Sequence, residues 1–203
     1  MNNAWVKNRK REYFYRKAKK EKFRSRASYK LLQAVKKHRF IKPGYVVVDL
    51  GAAPGGWTQA ARKLVGDSGF VLAVDVKRIA PVEAPNVHAI IGDVAEPHTI
   101  QNILKFLPRS ADAVISDVSP NVSGIWELDH ARQIDLANNS LQIATSILRF
   151  GGNFFVKIFQ GRTTSKFIEE VRQNFSFVKL VKPKASRSKS AELYILGRNF
   201  IKT

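Results

Sequence analysis

Cysteine is missing from this chain of 203 residues, and histidine occurs only four times. Without cysteine, disulfides, cysteine–zinc sites and iron–sulfur ligation are excluded. The four histidines show no metal-ligand spacing. They are His38, His88, His98 and His130. We therefore expect no metal site and interpret each histidine as a surface residue or a locally hydrogen-bonded one.

Long hydrophobic runs are also missing. No apolar run approaches the ~18 residues that a bilayer span requires, and no apolar stretch lies near the N-terminus. We therefore predict a cytoplasmic protein with no membrane span and no secretory signal. Hydrophobic residues make up 44% of the chain and aromatic residues 10%. This composition and length predict one domain with a sizeable core.

Acidic residues are scarce, with 16 Asp and Glu against 35 Lys and Arg, so the net charge is +19. The excess lies at the two ends, because residues 1–42 carry a net +14 and residues 179–203 a net +6, whereas residues 43–178 carry −1. Aromatic residues are interspersed among the N-terminal bases: Trp5, Tyr13, Phe14, Tyr15 and Phe23. Bases stack on aromatic faces and cations meet phosphates, so this mixture favours a nucleic acid partner. A solubilising tail and a basic amphipathic membrane helix remain alternatives.

Apolar runs typical of strands alternate with amphipathic helical patterns. The runs are YVVVDL (45–50), FVLAVD (70–75), VHAII (87–91), DAVISD (112–117) and NFFVKIF (153–159). The helical patterns lie at 55–65, 96–107, 130–148 and 164–175. Continuous apolar strands separated by helices predict an α/β fold, a Rossmann-like doubly wound sheet that is mostly parallel.

The two ends of the chain frame this sheet. FSFVKLV (175–181) and ELYILGR (192–198) have no helix between them, so they should pair as a C-terminal antiparallel hairpin around a basic loop. A helix at 27–38 precedes the first strand, and Lys42-Pro43-Gly44 should mark the exit from it. We divide the chain into a basic, mobile extension at 1–22 and a single domain at 23–203.

The first strand runs into the turn DLGAAPGGW (49–57), which should lie at the carboxyl edge of the sheet, where ligands bind. The turn matches neither G-x-G-x-x-G nor a P-loop. Asp75 closes the second strand and is placed to bind ribose hydroxyls; Asp93 follows the third and is placed to reach an adenine amino group. Each is an ordinary turn residue by itself, but at successive strand ends they predict a cofactor of the adenosine type.

Lys157 interrupts the otherwise apolar run NFFVKIFQG (153–161). A lysine ammonium group is almost never fully buried without a partner, because its desolvation is costly. Lys157 therefore either points to solvent from an edge strand or takes part in chemistry. The position of its strand next to the strand that ends at Asp117 favours the second interpretation.

Five segments together resemble the FtsJ/RrmJ family of S-adenosylmethionine-dependent RNA 2′-O-ribose methyltransferases. In chain order, from about residue 24 to 198, they are SRASYKL, DLGAAPGGWTQ, SDVSPNVSG, GGNFFVKIFQG and SRSKSAELYIL. The resemblance implies a sheet of the S-adenosylmethionine methyltransferase type, with that molecule as cofactor. It also implies that five residues contact the cofactor: Gly55, Trp57, Asp75, Asp93 and Asp117.

The family has a Lys-Asp-Lys-Glu tetrad, and the resemblance places it at Lys30, Asp117, Lys157 and Glu192. Methyl transfer to a ribose hydroxyl requires that the hydroxyl be aligned, deprotonated and shielded from water. We assign Lys157 as the base or as a group that steers the hydroxyl, an alternative that the sequence leaves open. Lys30 then tunes Lys157 or holds an RNA phosphate, Asp117 orients the reacting groups, and Glu192 supports the two lysines.

The resemblance implies a monomeric enzyme that methylates the 2′-hydroxyl of a uridine in large-subunit ribosomal RNA of the 23S type, within the ribosomal particle. Transfer RNA is the second candidate substrate and an mRNA cap the third. Two other classes of function stay open: a non-catalytic RNA-binding factor for ribosome assembly, which an intact tetrad disfavours, and a nicotinamide-dependent oxidoreductase, which the missing G-x-G-x-x-G disfavours.

Overall fold

A computed structural model describes residues 3–186 and 190–201, with residues 3–11 described by their backbone alone. The helices are α1 (Asn3–Lys20), α2 (Ser28–His38), α3 (Gly56–Val65), α4 (His98–Phe106), α5 (Trp126–Ile147) and α6 (Thr164–Arg172). The strands are β1 (Val46–Leu50), β2 (Phe70–Asp75), β3 (Val87–Ile91), β4 (Ala111–Ser116), β5 (Leu148–Phe159), β6 (Phe175–Val181) and β7 (Glu192–Phe200).

The strands form one sheet in the order β3-β2-β1-β4-β5-β7-β6. Strands β1 to β5 pair in parallel, and β7 runs antiparallel to both β5 and β6. The predicted doubly wound sheet with its antiparallel C-terminal hairpin is therefore confirmed. The chain reverses its direction of travel across the sheet between β1 and β4, so the carboxyl ends of these two strands form the switch point where such folds bind ligands.

Two hydrophobic layers cover the sheet, and alternate residues of β1 enter each of them. Val46, Val48 and Leu50 pack into the layer that contains α4, α5 and α6, whereas Val47 packs into the layer that contains α2 and α3. A strand buried on both faces reads as a continuous apolar run, which explains the YVVVDL pattern. Full burial of one such side chain stabilises the fold by about 1.5–3 kcal/mol.

Helix α2 ends at His38, as predicted, because Arg39 takes a left-handed conformation (φ 53°) and donates its N–H to the Val35 carbonyl. Other element ends differ from the predicted ones. Helix α5 begins four residues earlier than predicted, at Trp126, and leads directly into β5 at Leu148 with no loop between them. The extra length of β5 comes from a pairing of Leu148 with Ala111, separated by an irregularity from the main register.

The N-terminal extension forms helix α1 in the structure. Ala18 is buried and packs with Phe14 and Tyr29, so the C-terminal end of this helix rests on α2. The predicted mobility of residues 1–22 stays a prediction, and the side chain of Trp5 lies outside the described part, as do residues 187–189 of the basic loop. Within the described part, no helix is both long and apolar enough to cross a bilayer.

Candidate active site

The turn after β1 brings main chain close to two neighbouring elements. Gly51 has φ +70°, and a Cβ added there would lie 2.6 Å from Cγ2 of Val118, so only glycine fits this approach. Gly55 has φ +104° and precedes the first residue of α3, whose first-turn N–H groups have no partner within the helix. The first turn of α3 therefore presents main-chain donors at the switch point, where the anionic group of a cofactor can bind.

Two predicted carboxylates follow the neighbouring strands. Asp75 accepts hydrogen bonds from the N–H groups of Ala53 (2.9 Å) and Lys77 (2.8 Å), which hold it against the turn. Asp93 accepts one from Ala95 at 2.9 Å. Carboxylate oxygens have more than one acceptor site each, so both residues keep capacity for hydroxyl or amino donors of a nucleoside. The side chains present thus fit an adenosine-type cofactor.

Trp57 occupies a different environment from the other predicted cofactor residues. Its side chain is buried, its Nε1 donates to the Ala27 carbonyl at 2.8 Å, and its ring stacks near Phe155 and Tyr194. The ring thus ties α3 to the segment before α2. A contact between Trp57 and the cofactor stays a prediction. Because the side chain is buried, such a contact would involve the main chain of this residue.

A buried acid beneath the turn was not singled out by the sequence. Asp49 is fully buried, and its Oδ2 accepts a hydrogen bond from Oγ1 of Thr58 at 2.7 Å, while Oδ1 has no partner within the described residues. Burial raises the pKa of Asp49 to about 8; the Thr58 hydrogen bond opposes this, and the charges of Asp117 and Asp75 add to it. The sequence signal that could have identified Asp49 is an acidic residue at the end of an apolar strand.

Lys157 lies in an interior strand, since β5 is flanked by β4 and β7. Its side chain is 6% exposed, and Nζ donates to the main-chain oxygen of Asp117 at 2.7 Å and lies 3.4 Å from Oδ1 of that residue. These partners make a buried ammonium group tolerable. The edge-strand interpretation is therefore wrong, and the lysine stands beside the acid at the end of β4.

Lys30 and Glu192 form a second pair. Nζ of Lys30 donates to Oε1 of Glu192 at 2.6 Å, and Oγ of Ser186 donates to the same oxygen at 3.1 Å. Burial alone would raise the pKa of the Glu192 carboxyl, but the charge and hydrogen bond of Lys30, the charge of Lys157 and the Ser186 hydrogen bond outweigh it, so the pKa lies below its ordinary value. Both lysines thus act on one carboxylate, as the predicted tetrad requires.

Tyr194 connects the two pairs, and the sequence did not identify it. Its buried hydroxyl lies 2.9 Å from Oδ1 of Asp117 and 3.2 Å from Oε1 of Glu192. Burial raises the pKa of this phenol well above its ordinary value, and the two carboxylates raise it further, so the hydroxyl remains a donor. The available signal was the spacing Glu-x-Tyr, which puts both side chains on one face of a strand.

The structure thus gathers Lys30, Asp117, Lys157 and Glu192 around one tyrosine at the carboxyl ends of β4 and β5. Asp117 also donates its N–H to the carbonyl of Leu50, at the start of the glycine turn. One acid therefore joins the predicted cofactor pocket to the predicted catalytic group. Among the described residues, no cluster of three or more His, Asp or Glu side chains could hold a metal ion.

A sheet of this order, with a glycine turn after its first strand and acids after the next ones, defines a Rossmann-like fold of the nucleotide-binding class. The profile of the FtsJ-like methyltransferases matches residues 23–200. The chain belongs to that family.

Curated relatives in archaea carry the name ribosomal RNA large subunit methyltransferase E. The chain is 49% identical over 200 residues to that of Methanothermobacter thermautotrophicus, covering 98% of this chain and 95% of the relative. It is 47% identical over 199 residues to that of Methanocaldococcus jannaschii, covering 97% and 81%. The resemblance to the family, inferred from five segments, is confirmed.

Solved structures show the same fold. A Plasmodium falciparum protein assigned as a ribosomal RNA methyltransferase gives a TM-score of 0.77 at 25% identity, covering 88% of this chain and 98% of that one. Aeropyrum pernix fibrillarin, which was solved with natively bound S-adenosyl-L-methionine, gives 0.60 at 17% identity, covering 86% and 74%. The second likeness concerns the fold alone.

Proposed function

We propose that this chain transfers the methyl group of S-adenosylmethionine to a ribose 2′-hydroxyl of RNA, in a uridine of large-subunit ribosomal RNA. The observation that carries the proposal is the position of Lys157, a buried amine held by Asp117 where the cofactor turn meets the surface. The family supplies the methyl-transfer chemistry, and the names of the archaeal relatives support ribosomal RNA as the substrate.

S-adenosylmethionine, when bound, supplies a methyl group that is already activated by the positive charge of its sulfonium. Within the chain, Gly55 and the first turn of α3 would hold its anionic end. Asp75 would accept from the ribose hydroxyls of the cofactor, and Asp93 from its adenine amino group. The protein's remaining task is to align the RNA hydroxyl, take its proton and keep water away.

Lys157 is the group placed for that task. Its Nζ already donates to the Asp117 carbonyl, so one N–H direction is fixed and others remain for the substrate hydroxyl. Asp117 and Glu192 hold the two lysine side chains of the site in place, and the Tyr194 hydroxyl lies within hydrogen-bond distance of both carboxylates. As a neutral amine, Lys157 would accept the hydroxyl proton; as an ammonium ion, it would aim the hydroxyl oxygen at the methyl group.

The RNA surface consists, in this proposal, of α1, α2 and the basic loop between β6 and β7. The last turn of α1 carries Lys17, Lys19 and Lys20, and that of α2 carries Lys36 and Lys37. Such a cationic surface fits a large folded RNA, and we extend the proposal to a monomer that acts on the assembled ribosomal particle in the cytoplasm.

The test is transfer of tritium from labelled S-adenosylmethionine to protein-free large-subunit RNA, to ribosomal subunits and to transfer RNA. Lys157→Ala should lower the rate by about 10²–10⁴-fold, the usual contribution of a positioned acid–base group. Lys105→Ala, which changes a solvent-exposed lysine of α4, is the control and should keep the wild-type rate. Full activity of Lys157→Ala would show that Lys157 does not have the assigned role.

The position of the label separates ribose methylation from base methylation. A 2′-O-methyl group blocks alkaline cleavage of the adjacent phosphodiester, because that cleavage needs a free 2′-hydroxyl. Tritium should therefore appear in an alkali-resistant dinucleotide. Label in mononucleotides would contradict the proposed acceptor, label in transfer RNA alone would change the substrate, and tight RNA binding without any transfer would favour the non-catalytic assembly factor.

A further inference from the structure

Aromatic side chains that the proposed reaction does not use lie beside the active site. Trp126, the first residue of α5, is 44% exposed, and its ring stacks near-parallel on that of His130 (centroids 6.1 Å apart, planes at 20°) and on that of Phe159 (6.1 Å, 26°). We call these three residues the aromatic platform. The partly exposed ring of Trp126 is the side of the platform that faces solvent.

One residue of the platform lies close to the catalytic group along β5. Phe159 follows Lys157 by two residues in β5, so the two side chains emerge on the same face of the strand. Phe159 is also the register partner of Glu192 in β7. A planar group stacked on the exposed ring of Trp126 would therefore lie next to the site where the ribose hydroxyl must be held.

Hydrogen bonds hold the platform in place before any substrate arrives. Nδ1 of His130 lies 3.1 Å from the Phe159 carbonyl and donates to it, while Nε2 accepts the N–H of Thr163 at 3.2 Å. A Cβ at Gly161 would lie 2.6 Å from the His130 ring, so the loop after β5 packs tightly against it. The imidazole thus has little freedom and forms a firm base for Trp126.

The loop before Trp126 is fixed as well. The carboxylate of Asp129 accepts the N–H groups of Ser123 (2.7 Å) and Gly124 (3.1 Å) as well as the Ser123 hydroxyl (2.8 Å). These bonds tie the segment after Asp117 to the first turn of α5. An exposed tryptophan on a fixed helix end loses little conformational entropy on binding, which is the property expected of a stacking surface.

We propose that Trp126 stacks on an unpaired nucleobase of the substrate strand and thereby positions the neighbouring ribose at Lys157. The proposal rests on the proposed RNA methyl transfer. Sequence-tolerant base stacking on aromatic side chains is the common way in which proteins hold single-stranded nucleotides. A nucleobase is the occupant that the flat ring, its position beside the tetrad and the net charge of +19 favour together.

The kinetic test compares Trp126→Ala, Trp126→Phe and Trp126→Leu on large ribosomal subunits and on protein-free large-subunit RNA. Loss of one stacked base should raise the KM for RNA by roughly tenfold, with less effect on kcat and none on cofactor affinity. Trp126→Phe should recover most of the loss, and Trp126→Leu should not. Phe150→Ala removes a 70% exposed aromatic residue from the opposite end of β5 and should behave as wild type.

Three results would overturn the proposal. A wild-type KM for Trp126→Ala would show that Trp126 does not contact the RNA. Equal recovery by leucine and phenylalanine would show that the contact is apolar burial and not stacking. A defect on ribosomal subunits that is absent on protein-free RNA would assign the surface, with exposed neighbours such as Ile125, to a protein partner.

A fluorescence titration separates this inference from the proposed reaction. An oligouridylate should quench wild-type tryptophan fluorescence more than that of Trp126→Phe, because stacking acts on the Trp126 ring, whereas Trp57 is buried and Trp5 is present in both proteins. If wild type transfers no methyl group yet shows this difference, the reaction proposal fails and the stacking proposal stands. Equal quenching in both proteins contradicts stacking itself.

Discussion

The hydroxyl of Tyr194 lies 2.9 Å from Oδ1 of Asp117, the same carboxylate oxygen that lies 3.4 Å from Nζ of Lys157. Tyr194 and Lys157 are register partners in the antiparallel strands β7 and β5, so their side chains share a face. Since the hydroxyl has a single proton, it can hold either Asp117 or Glu192 firmly, and the second carboxylate then relies on its lysine. The position of Lys157 is thus coupled to that of Lys30.

Tyr194→Phe should lower kcat for methyl transfer while the protein remains folded. The substitution removes a hydrogen bond to a charged group, which contributes about 1.5–3 kcal/mol, so we expect a rate loss of about tenfold or more. The ring keeps its stacking on Phe155 at 4.9 Å and 12°. Tyr45→Phe, at the amino edge of the sheet, is the control, and rates are measured at saturating cofactor and RNA. Loss of thermal stability with unchanged kcat would show that the hydroxyl is only structural.

Gly51→Ala should destabilise the protein and weaken cofactor binding, whereas Gly44→Ala should do less. Both glycines have a positive φ, +70° and +80°, so both substitutions strain the backbone. At Gly51 the new Cβ also meets Val118, whereas at Gly44 the nearest atom, Oγ of Ser68, lies at an ordinary contact distance of 3.7 Å. The difference in unfolding free energy, expected to be about 1–3 kcal/mol, measures the cost of the close approach of the turn. Equal losses in the two variants would mean that the clash relaxes without cost.

The sheet was predictable because its signals are local. Strands buried on both faces give continuous apolar runs, and their alternation with helices selects a parallel sheet. Lys157 could be found in the same way, since a cation within such a run needs a partner. Some helix bounds were less accurate: α5 begins at Trp126, four residues before its predicted start, and α6 ends at Arg172, three residues before its predicted end. The first three residues of α5 are exposed, so they give no amphipathic pattern.

Tyr194, Asp49 and the aromatic platform could not be derived in this way because their roles depend on register and on packing between distant segments. The spacing Glu-x-Tyr indicates that two side chains share a face of one strand. It does not show that Lys157 is the register partner of Tyr194 on the neighbouring strand. The hydrogen bond from Thr58 to Asp49 joins a strand to a helix, and Trp126 meets Phe159 only because α5 begins earlier than its pattern indicates.

Deleting residues 1–22 should weaken RNA binding and leave S-adenosylmethionine affinity unchanged. The deletion removes the basic helix α1, which packs on Tyr29, and keeps Arg24, whose side chain donates to the Pro54 carbonyl in the glycine turn. Each lost phosphate contact should lower the slope of log K against log salt by ~0.9 in magnitude. Fluorescence anisotropy of labelled RNA across a salt series measures it, with Lys105→Ala, an exposed lysine of α4, as the control. A loss of cofactor affinity in the truncated protein would contradict this division of roles.

Asp49→Asn should change how stability depends on pH. The pKa of Asp49 is raised from an ordinary 3.8 to about 8 in the folded protein, so between these values the folded state holds a proton that the unfolded state has released. Stability therefore falls as pH rises through this window and levels off above it. Asparagine, which does not titrate, removes this fall. The free energy of unfolding of Asp49→Asn minus that of wild type should thus grow from pH 4 to pH 8 and then stay constant. Chemical denaturation at each pH measures it.

Asp112→Asn provides the contrast. Burial acts to raise the pKa of Asp112, but Arg109 and Arg149 outweigh it and lower the pKa of this carboxyl. Wild type should therefore lose its stability advantage over Asp112→Asn only as pH falls through the acid range. A pH-independent difference for Asp49→Asn would show that the buried carboxyl is ionised in the folded protein at neutral pH.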